Sequence, residues 1–380
     1  MPAARPIPAR EESVSEPGWW CNERCVCIAR RRADLLVRIA IAGLVSVATA
    51  CSRERATANE QAPATSASSR LALPSASAEP PKPASGSAEI PSAEPPAVPD
   101  APAPSAEVYP WLGAASAPTV DGSLATRIAP PPGYTRIAVE PGGFPAFVRG
   151  LPLSPAGTAV TAHDGDVVRA ADDDYVEAVV ALDVGSSDVQ QSVDVIVRLH
   201  AEWLWSRNEK SKISYVALTK LALPLSRWEK GQRLITNNGA DVFWAIQAKP
   251  KEVDYTEFRR YLDGVFLWQN AMSLGLRSRN LDQPEQLLPG DFFLHARSPG
   301  HVAIVLDVAE KPGGERVALL GQALNPAQSL HVLRPGRATP WFSLRPGTAI
   351  VTPYTAEFGW NELRRLDAEP ASEETADGGT

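Results

Sequence analysis

The sequence LPGDFFLHARSPGHVAIVLDVAEKPGGERVALLGQALNPAQSLHVL, residues 288–333, contains three apolar runs separated by Pro-Gly and Gly-Gly turns. Residues 301–308 are rich in β-branched and aliphatic side chains, and a Pro-Gly-Gly turn leads into the next run. Such runs, bounded by Pro and Gly, predict an antiparallel β-hairpin. A turn centred near Pro312 places Gln322 opposite His301, so an imidazole and a side-chain amide are expected side by side.

A second segment supplies a candidate partner for His301. Ser187 and Asp188 each precede a glutamine by three residues, and this capping pattern predicts a helix over residues 187–208. Ser192 lies in the first turns of that helix above an apolar stripe, where unpaired backbone N–H groups and the helix dipole favour an anion. Three charged residues at i,i+4 spacing are expected to form a solvated or domain-bridging ion-pair row on another face: Asp194, Arg198 and Glu202.

Composition and motifs exclude several function classes. The chain has 380 residues, a formal net charge of −7, 44% hydrophobic residues and 21% charged residues, which allows one core of good size. The acidic balance argues against a nucleic-acid partner. The sequence has no Walker loop, dinucleotide fingerprint or His-Glu-x-x-His run, so nucleotide-binding and metallopeptidase functions are not expected. We therefore expect a monomer without a cofactor or a metal.

The N-terminal residues predict export. Residues 1–29 form an irregular extension, which a misassigned start would explain, and their three cysteines lack a fourth metal ligand. Residues 30–50 join a cationic segment to a short apolar run, as a signal peptide does. Cys51 completes an Ala-Thr-Ala-Cys sequence that resembles the lipobox of bacterial lipoproteins. A lipid on Cys51 would anchor the protein to a membrane of the cell envelope, on its periplasmic side or at the outer membrane; ordinary signal-peptidase cleavage is the alternative.

A change of composition marks the start of the folded domain. Residues 51–107 are mostly Ala, Pro and Ser and contain no aromatic residue, so they are predicted to be a disordered spacer. Aromatic residues return at Tyr109, and the folded domain is predicted over residues 108–365. The acidic tail, residues 366–380, is predicted to be disordered.

The domain resembles the bacterial envelope proteins of the domain of unknown function 4846 family. The resemblance covers most of residues 140–365 and rests on motifs whose order and spacing match. These motifs are RGLPL at 149–153, QQSVD at 190–194, RLHAEWL at 198–204, FRRYL at 258–262, GDFF at 290–293, PGHVAIV at 299–305, and Gln322 followed by NPAQ at 325–328.

The same arrangement is similar to that of NlpC-type, papain-like cell-wall peptidases. This resemblance implies an α+β, papain-like fold in which an N-terminal helix packs on an antiparallel sheet, preceded by a disordered linker. It implies a nucleophile at Ser192, a base at His301 and an orienting group at Gln322. Three polar residues in these motifs are candidates for binding substrate: Gln191, Asn325 and Gln328. For Asn325 and Gln328 the alternative is that they only form a turn.

A serine stands where the family usually has cysteine. A hydroxyl is a far weaker acid than a thiol, so a site built for cysteine is expected to lose activity on this exchange. The leading hypothesis is therefore a lipid-anchored envelope protein that binds peptide or peptidoglycan fragments, with hydrolysis lost or reduced. One alternative is an active amide or ester hydrolase that uses Ser192, His301 and Gln322, and another is a structural or protein-interaction module.

Overall fold

An antiparallel sheet built on the predicted hairpin organises the structure, a computed structural model. The model describes residues 101–367 except 240, 282, 298–299 and 355–356. The predicted extension, the signal peptide, Cys51 and most of the spacer and of the tail therefore lie outside the described residues. Within the described part of the chain, no helix has the length and apolarity needed to cross a membrane.

The elements follow one another along the chain with short connections. The strands are β1 Thr135–Arg136, β2 Val160–Thr161, β3 Val167–Arg169, β4 Val176–Val179, β5 Ser214–Val216, β6 Ala222–Pro224, β7 Gln232–Thr236, β8 Val242–Ile246, β9 Ser278–Asn280, β10 Phe292–His295, β11 His301–Glu310, β12 Arg316–Gln322, β13 His331–Leu333, β14 Trp341–Leu344, β15 Ile350–Val351, β16 Glu357–Phe358 and β17 Leu363–Leu366. The helices are α1 Leu124–Arg127, α2 Phe144–Arg149, α3 Asp194–Ser206, α4 Leu225–Glu229, α5 Tyr255–Trp268 and α6 Ala271–Leu276.

The central sheet has the strand order β4-β13-β12-β11-β10-β17-β9, with β1 added to β11 and β14 added to β12. Each of these pairs is antiparallel. The described residues also form short two-stranded sheets: β2-β3, β5-β6, β7-β8 and β15-β16. The mixture of helices with antiparallel sheet confirms the α+β prediction.

The β11–β12 hairpin forms, but its register differs from the predicted one. Ile304 pairs with Gly321, so Gln322 lies opposite Ala303 rather than opposite His301. Glu310 pairs with Arg316, so the turn is centred on Gly313 rather than near Pro312, and a bulge farther along the pair changes the offset by one residue. Side chains two residues apart share a face, so Gln322 is still the diagonal neighbour of His301.

The two faces of the sheet hold separate apolar clusters. Val302 and Ile304 lie in the cluster that includes the apolar side chains of α3. Ala303 lies in the other cluster, with Phe358. Alternation along β11 therefore puts His301 on the Phe358 side, at the first residue of the strand. This end of the sheet carries the candidate site.

Helix α3 begins later than predicted. It spans Asp194–Ser206 instead of residues 187–208. The backbone N–H of Gln191 donates to Asp194 Oδ2 at 2.9 Å, and the N–H of Asp194 donates to the Gln191 carbonyl at 2.7 Å. These bonds make a separate turn before the helix, because they satisfy donors that a longer helix would use. Ser192 lies in that turn.

The predicted ion-pair row is buried instead of solvated. The exposed fractions of Asp194, Arg198 and Glu202 are 4%, 0% and 0%. The Arg198 guanidinium donates to Glu202 at 2.8 Å, to Asp183 at 2.7 Å and to Gln190 Oε1 at 2.7 Å. A buried arginine requires such partners, and two of them come from the loop before the helix. Arg198 therefore ties that loop to α3.

Candidate active site

Ser192 and His301 meet at the end of the sheet. The Ser192 Oγ lies 3.0 Å from His301 Nδ1, although the two residues are 109 positions apart in the chain. The turn before α3 supplies the hydroxyl, and the first residue of β11 supplies the imidazole. The exposed fractions of Ser192 and His301 are 5% and 9%, so most of the pair is shielded from water.

Gln322 fixes the hydrogen positions on the imidazole. His301 Nε2 lies 3.3 Å from Gln322 Oε1, and Gln322 Nε2 donates to the Pro353 carbonyl at 3.4 Å. A carbonyl oxygen only accepts, so the amide nitrogen faces Pro353 and the amide oxygen faces the ring. His301 must then carry its hydrogen on Nε2 and a lone pair on Nδ1. Ser192 therefore donates its hydroxyl hydrogen to Nδ1.

Burial keeps the imidazole neutral. Desolvation lowers the pKa of His301 to about 4, the hydrogen bond to Gln322 acts in the opposite direction, and nearby His295 lowers the pKa further. His295 pairs with His301 across the β10–β11 ladder, and the Phe358 ring packs against both imidazoles. At pH 7 His301 is therefore uncharged and can accept a proton from the Ser192 hydroxyl.

The turn at Ser192 also leaves backbone donors open. Among the described residues, no oxygen accepts a hydrogen bond from the backbone N–H of Ser192 or of Val193. Free N–H groups are normal at a helix start, and α3 begins one residue after Val193. Such donors next to a nucleophile can stabilise negative charge that develops on a carbonyl oxygen.

The three predicted substrate-binding residues have different surroundings. Gln191 is half-buried, and its Nε2 donates to Asp188 Oδ1 at 2.7 Å. Asn325 is exposed and precedes a cis peptide bond to Pro326. Gln328 is buried and its Nε2 donates to the Pro326 carbonyl at 3.1 Å, while its Oε1 has no partner among the described residues. Asn325 is therefore the most exposed of the three.

Asp194 and Asp188, near Ser192, make contacts that the sequence does not predict. Asp194 Oδ1 accepts from Gln269 Nε2 at 2.9 Å, across 75 positions of sequence. Asp188 Oδ1 accepts from the backbone N–H of Ala327 at 2.7 Å, across 139 positions. Both contacts bridge distant segments, so local spacing could not reveal them. Within the part of the chain that the structure describes, no group of three or more His, Cys, Asp or Glu side chains is arranged to hold a metal ion.

Replacing Gln322 with leucine is expected to change the tautomer of His301. The variant removes the acceptor for the Nε2–H group, and Gln322 itself is fully buried, so water cannot replace it freely. The ¹⁵N chemical shifts of the imidazole report the tautomer directly. Gln247→Leu, at an exposed glutamine, is the control. Unchanged His301 shifts in Gln322→Leu would contradict the assigned hydrogen positions.

Comparison with known proteins places most of the domain in one family. The family model described as "Domain of unknown function (4846)" matches residues 124–365. No curated protein and no solved structure matches the chain. The match begins at α1 and ends within β17, so it includes Ser192, His301 and Gln322.

Proposed function

The chain belongs to the domain of unknown function 4846 family, and we propose that its domain is a serine hydrolase that cleaves an ester or amide bond. The observation that carries the proposal is the 3.0 Å contact between Ser192 Oγ and His301 Nδ1. A hydroxyl is a weak nucleophile unless a positioned base removes its proton. Gln322 supplies the third group, since it orients that base.

The reaction follows from the hydrogen positions. His301 Nδ1 accepts the hydroxyl proton as Ser192 Oγ attacks the carbonyl carbon of the substrate, and negative charge moves to the carbonyl oxygen. Gln322 Oε1 accepts from Nε2–H and stabilises the imidazolium. The imidazolium then gives its proton to the leaving alcohol or amine, which departs and leaves an acyl group on Ser192. Water, deprotonated by His301, attacks the acyl carbon; the bond to Ser192 Oγ breaks, the carboxylic acid leaves, and Oγ takes its proton back from the imidazolium.

Fold and location belong to the same proposal. A nucleophile just before a helix, with its base and orienting group on adjacent antiparallel strands, supports a papain-like, NlpC-type arrangement. The signal-like residues 30–50 and the lipobox-like sequence at Cys51 support an exported protein anchored by a lipid. For such a protein, peptides or peptidoglycan fragments are the substrates that its surroundings supply.

Binding without turnover is the second candidate. The exposed fractions of Ser192 and His301 are only 5% and 9%, and a pKa of about 4 makes the imidazole a weak base. Both observations favour a pocket that holds a peptide or peptidoglycan fragment and cleaves it slowly or not at all.

A substrate panel separates the two candidates. The full chain is incubated with p-nitrophenyl esters, short peptide amides and purified muropeptides, and product release is followed alongside binding by calorimetry. The hydrolase proposal expects product from at least one class. Binding of muropeptides without any product would support the second candidate and overturn the first. If the chain neither binds nor cleaves any member of the panel, both candidates are overturned, and a structural or protein-interaction module remains.

Activity is expected to fall only in strong acid. His301 must be neutral to accept a proton, and burial lowers its pKa to about 4, so kcat/KM should decline as pH drops through about 4 and stay level up to neutral pH. The measurement is kcat/KM from pH 3 to pH 8, with circular dichroism at each pH to confirm folding. A decline centred near the ordinary histidine value of about 6.5 would contradict a desolvated base.

A further inference from the structure

The Asp188 carboxylate contacts both the turn that contains Ser192 and the segment that follows Gln322. Asp188 Oδ1 accepts from Gln191 Nε2 at 2.7 Å and from the backbone N–H of Ala327 at 2.7 Å. Gln191 immediately precedes Ser192, and Ala327 lies in the segment between β12, which ends at Gln322, and β13. The carboxylate therefore links the nucleophile's turn to the chain that leaves the orienting glutamine.

Other hydrogen bonds hold the same turn against helix α3. Gln190 Oε1 accepts from Arg198 Nη1 at 2.7 Å, which ties the residue two positions before Ser192 to helix α3. Asp194 binds the backbone N–H of Gln191 and the side chain of Gln269. These contacts set the position of the turn on its own helix. Helix α3 packs on the sheet through its apolar side chains, but none of these hydrogen bonds joins the turn to the segment that follows Gln322.

We propose that Asp188 is a positioning residue that holds Ser192 Oγ within hydrogen-bond reach of His301 Nδ1 by joining the two segments. The inference rests on the proposed function and adds a residue to its machinery. Bonds to a carboxylate are short and strong, and both of these measure 2.7 Å. Neither segment is regular secondary structure, so side-chain bonds carry the constraint that a helix or a strand would otherwise supply.

The test compares two substitutions of Asp188 in the full chain. Asp188→Ala removes the acceptor, and we expect kcat to fall by roughly 10- to 100-fold with little change in KM, because small misplacements of reacting groups have effects of this order. Asp188→Asn keeps an amide oxygen that can accept both bonds, so most of kcat should be retained. Asp164→Ala is the control, since Asp164 is exposed and accepts only a local bond, from the N–H of Asp166.

A second readout does not depend on turnover. In the Ser192→Cys background, the rate of thiol alkylation is measured against pH by mass spectrometry of the peptide that contains position 192. Burial beside an uncharged imidazole should place the midpoint above the value of about 8.5 for a free thiol. Adding Asp188→Ala should move the midpoint towards that free value, and adding Asp188→Asn should not.

The outcomes distinguish this inference from the proposed function. If the unmodified chain shows no hydrolysis, the proposed function fails, and the alkylation midpoint alone decides the positioning role. An unchanged alkylation midpoint in Asp188→Ala would overturn the inference. A rise in KM with unchanged kcat would also overturn it, because Asp188 would then be a substrate-binding group. Equal losses in Asp188→Ala and Asp188→Asn would also overturn it, because the amide oxygen would then fail as an acceptor.

Discussion

Replacing Ser192 with alanine is expected to lower kcat/KM by at least about 10³-fold, because the variant has no atom to form the acyl intermediate. The geometry leaves His301 intact in this variant, with its hydrogen still directed at Gln322. Water held by the imidazole can then supply only a residual rate. The measurement is kcat/KM on whichever substrate of the panel the unmodified chain cleaves fastest.

Ser187→Ala is the matched control for this loss. Ser187 lies five residues earlier in the same segment, but it is exposed and has no contact with His301 among the described residues. We expect Ser187→Ala to keep full activity. Activity retained in Ser192→Ala would show that another group is the nucleophile, and the 3.0 Å contact would then be structural.

The second large effect concerns stability. Asp307→Ala is expected to lower the free energy of unfolding by about 3–5 kcal/mol, the usual result of removing one partner from a buried ion pair. Asp307 is fully buried and accepts from Arg149 Nε at 2.7 Å and from Arg136 Nε at 2.6 Å. Arg149 is itself only 1% exposed, so the variant would leave its charge buried without a carboxylate. Urea unfolding at neutral pH measures the change.

An exposed ion pair provides the control for Asp307. Asp174 pairs with Arg337, whose side chain is 80% exposed, so solvent and salt screen the interaction. Asp174→Ala should therefore leave the urea midpoint almost unchanged. If Asp307→Ala is as stable as Asp174→Ala, the ion pairs of Asp307 with Arg136 and Arg149 do not stabilise the fold as we expect.

The sequence predicted the bounds of β11 and β12 more accurately than the register of their pairing. The Pro-Gly and Gly-Gly turns bound β11 and β12 nearly where they were expected, because turn residues and β-branched runs are local signals. The register of the pair depends on the centre of the turn, which is Gly313 instead of Pro312, and on a bulge that no residue type in the run marks. The contact between His301 and Gln322 nevertheless exists, because a register error of two residues keeps both side chains on one face.

The helix shows how competing local signals mislead. Ser187 and Asp188 are each followed by a glutamine three residues later, which is typical of a helix start. The Asp188 carboxylate instead accepts from the backbone N–H of Ala327, 139 positions away. Gln191 and Asp194 therefore form the turn that leads into the helix. The spacing of Asp194, Arg198 and Glu202 could not indicate burial either, because the partners that neutralise Arg198 lie partly outside the helix.

The candidate site depended on a different kind of information. The position of the turn predicted Gln322 beside His301, the resemblance to NlpC-type peptidases implied Ser192 as their partner, and the structure brings all three together. Periodicity alone gave a histidine at a strand end and a serine near a helix start, which are common in proteins without catalytic roles. The positioning contacts of Asp188 and Asp194 had no sequence signal, since each joins segments that only the fold brings together.

Covalent labelling tests whether His301 activates the Ser192 hydroxyl, as we propose. The full chain is treated with a fluorophosphonate, which reacts with activated serine hydroxyls, and the modified residue is located by mass spectrometry. We expect labelling at Ser192 in the unmodified chain and at least roughly 10²-fold slower labelling in His301→Ala. No label on Ser192, or labelling at the same rate without His301, would contradict the proposal.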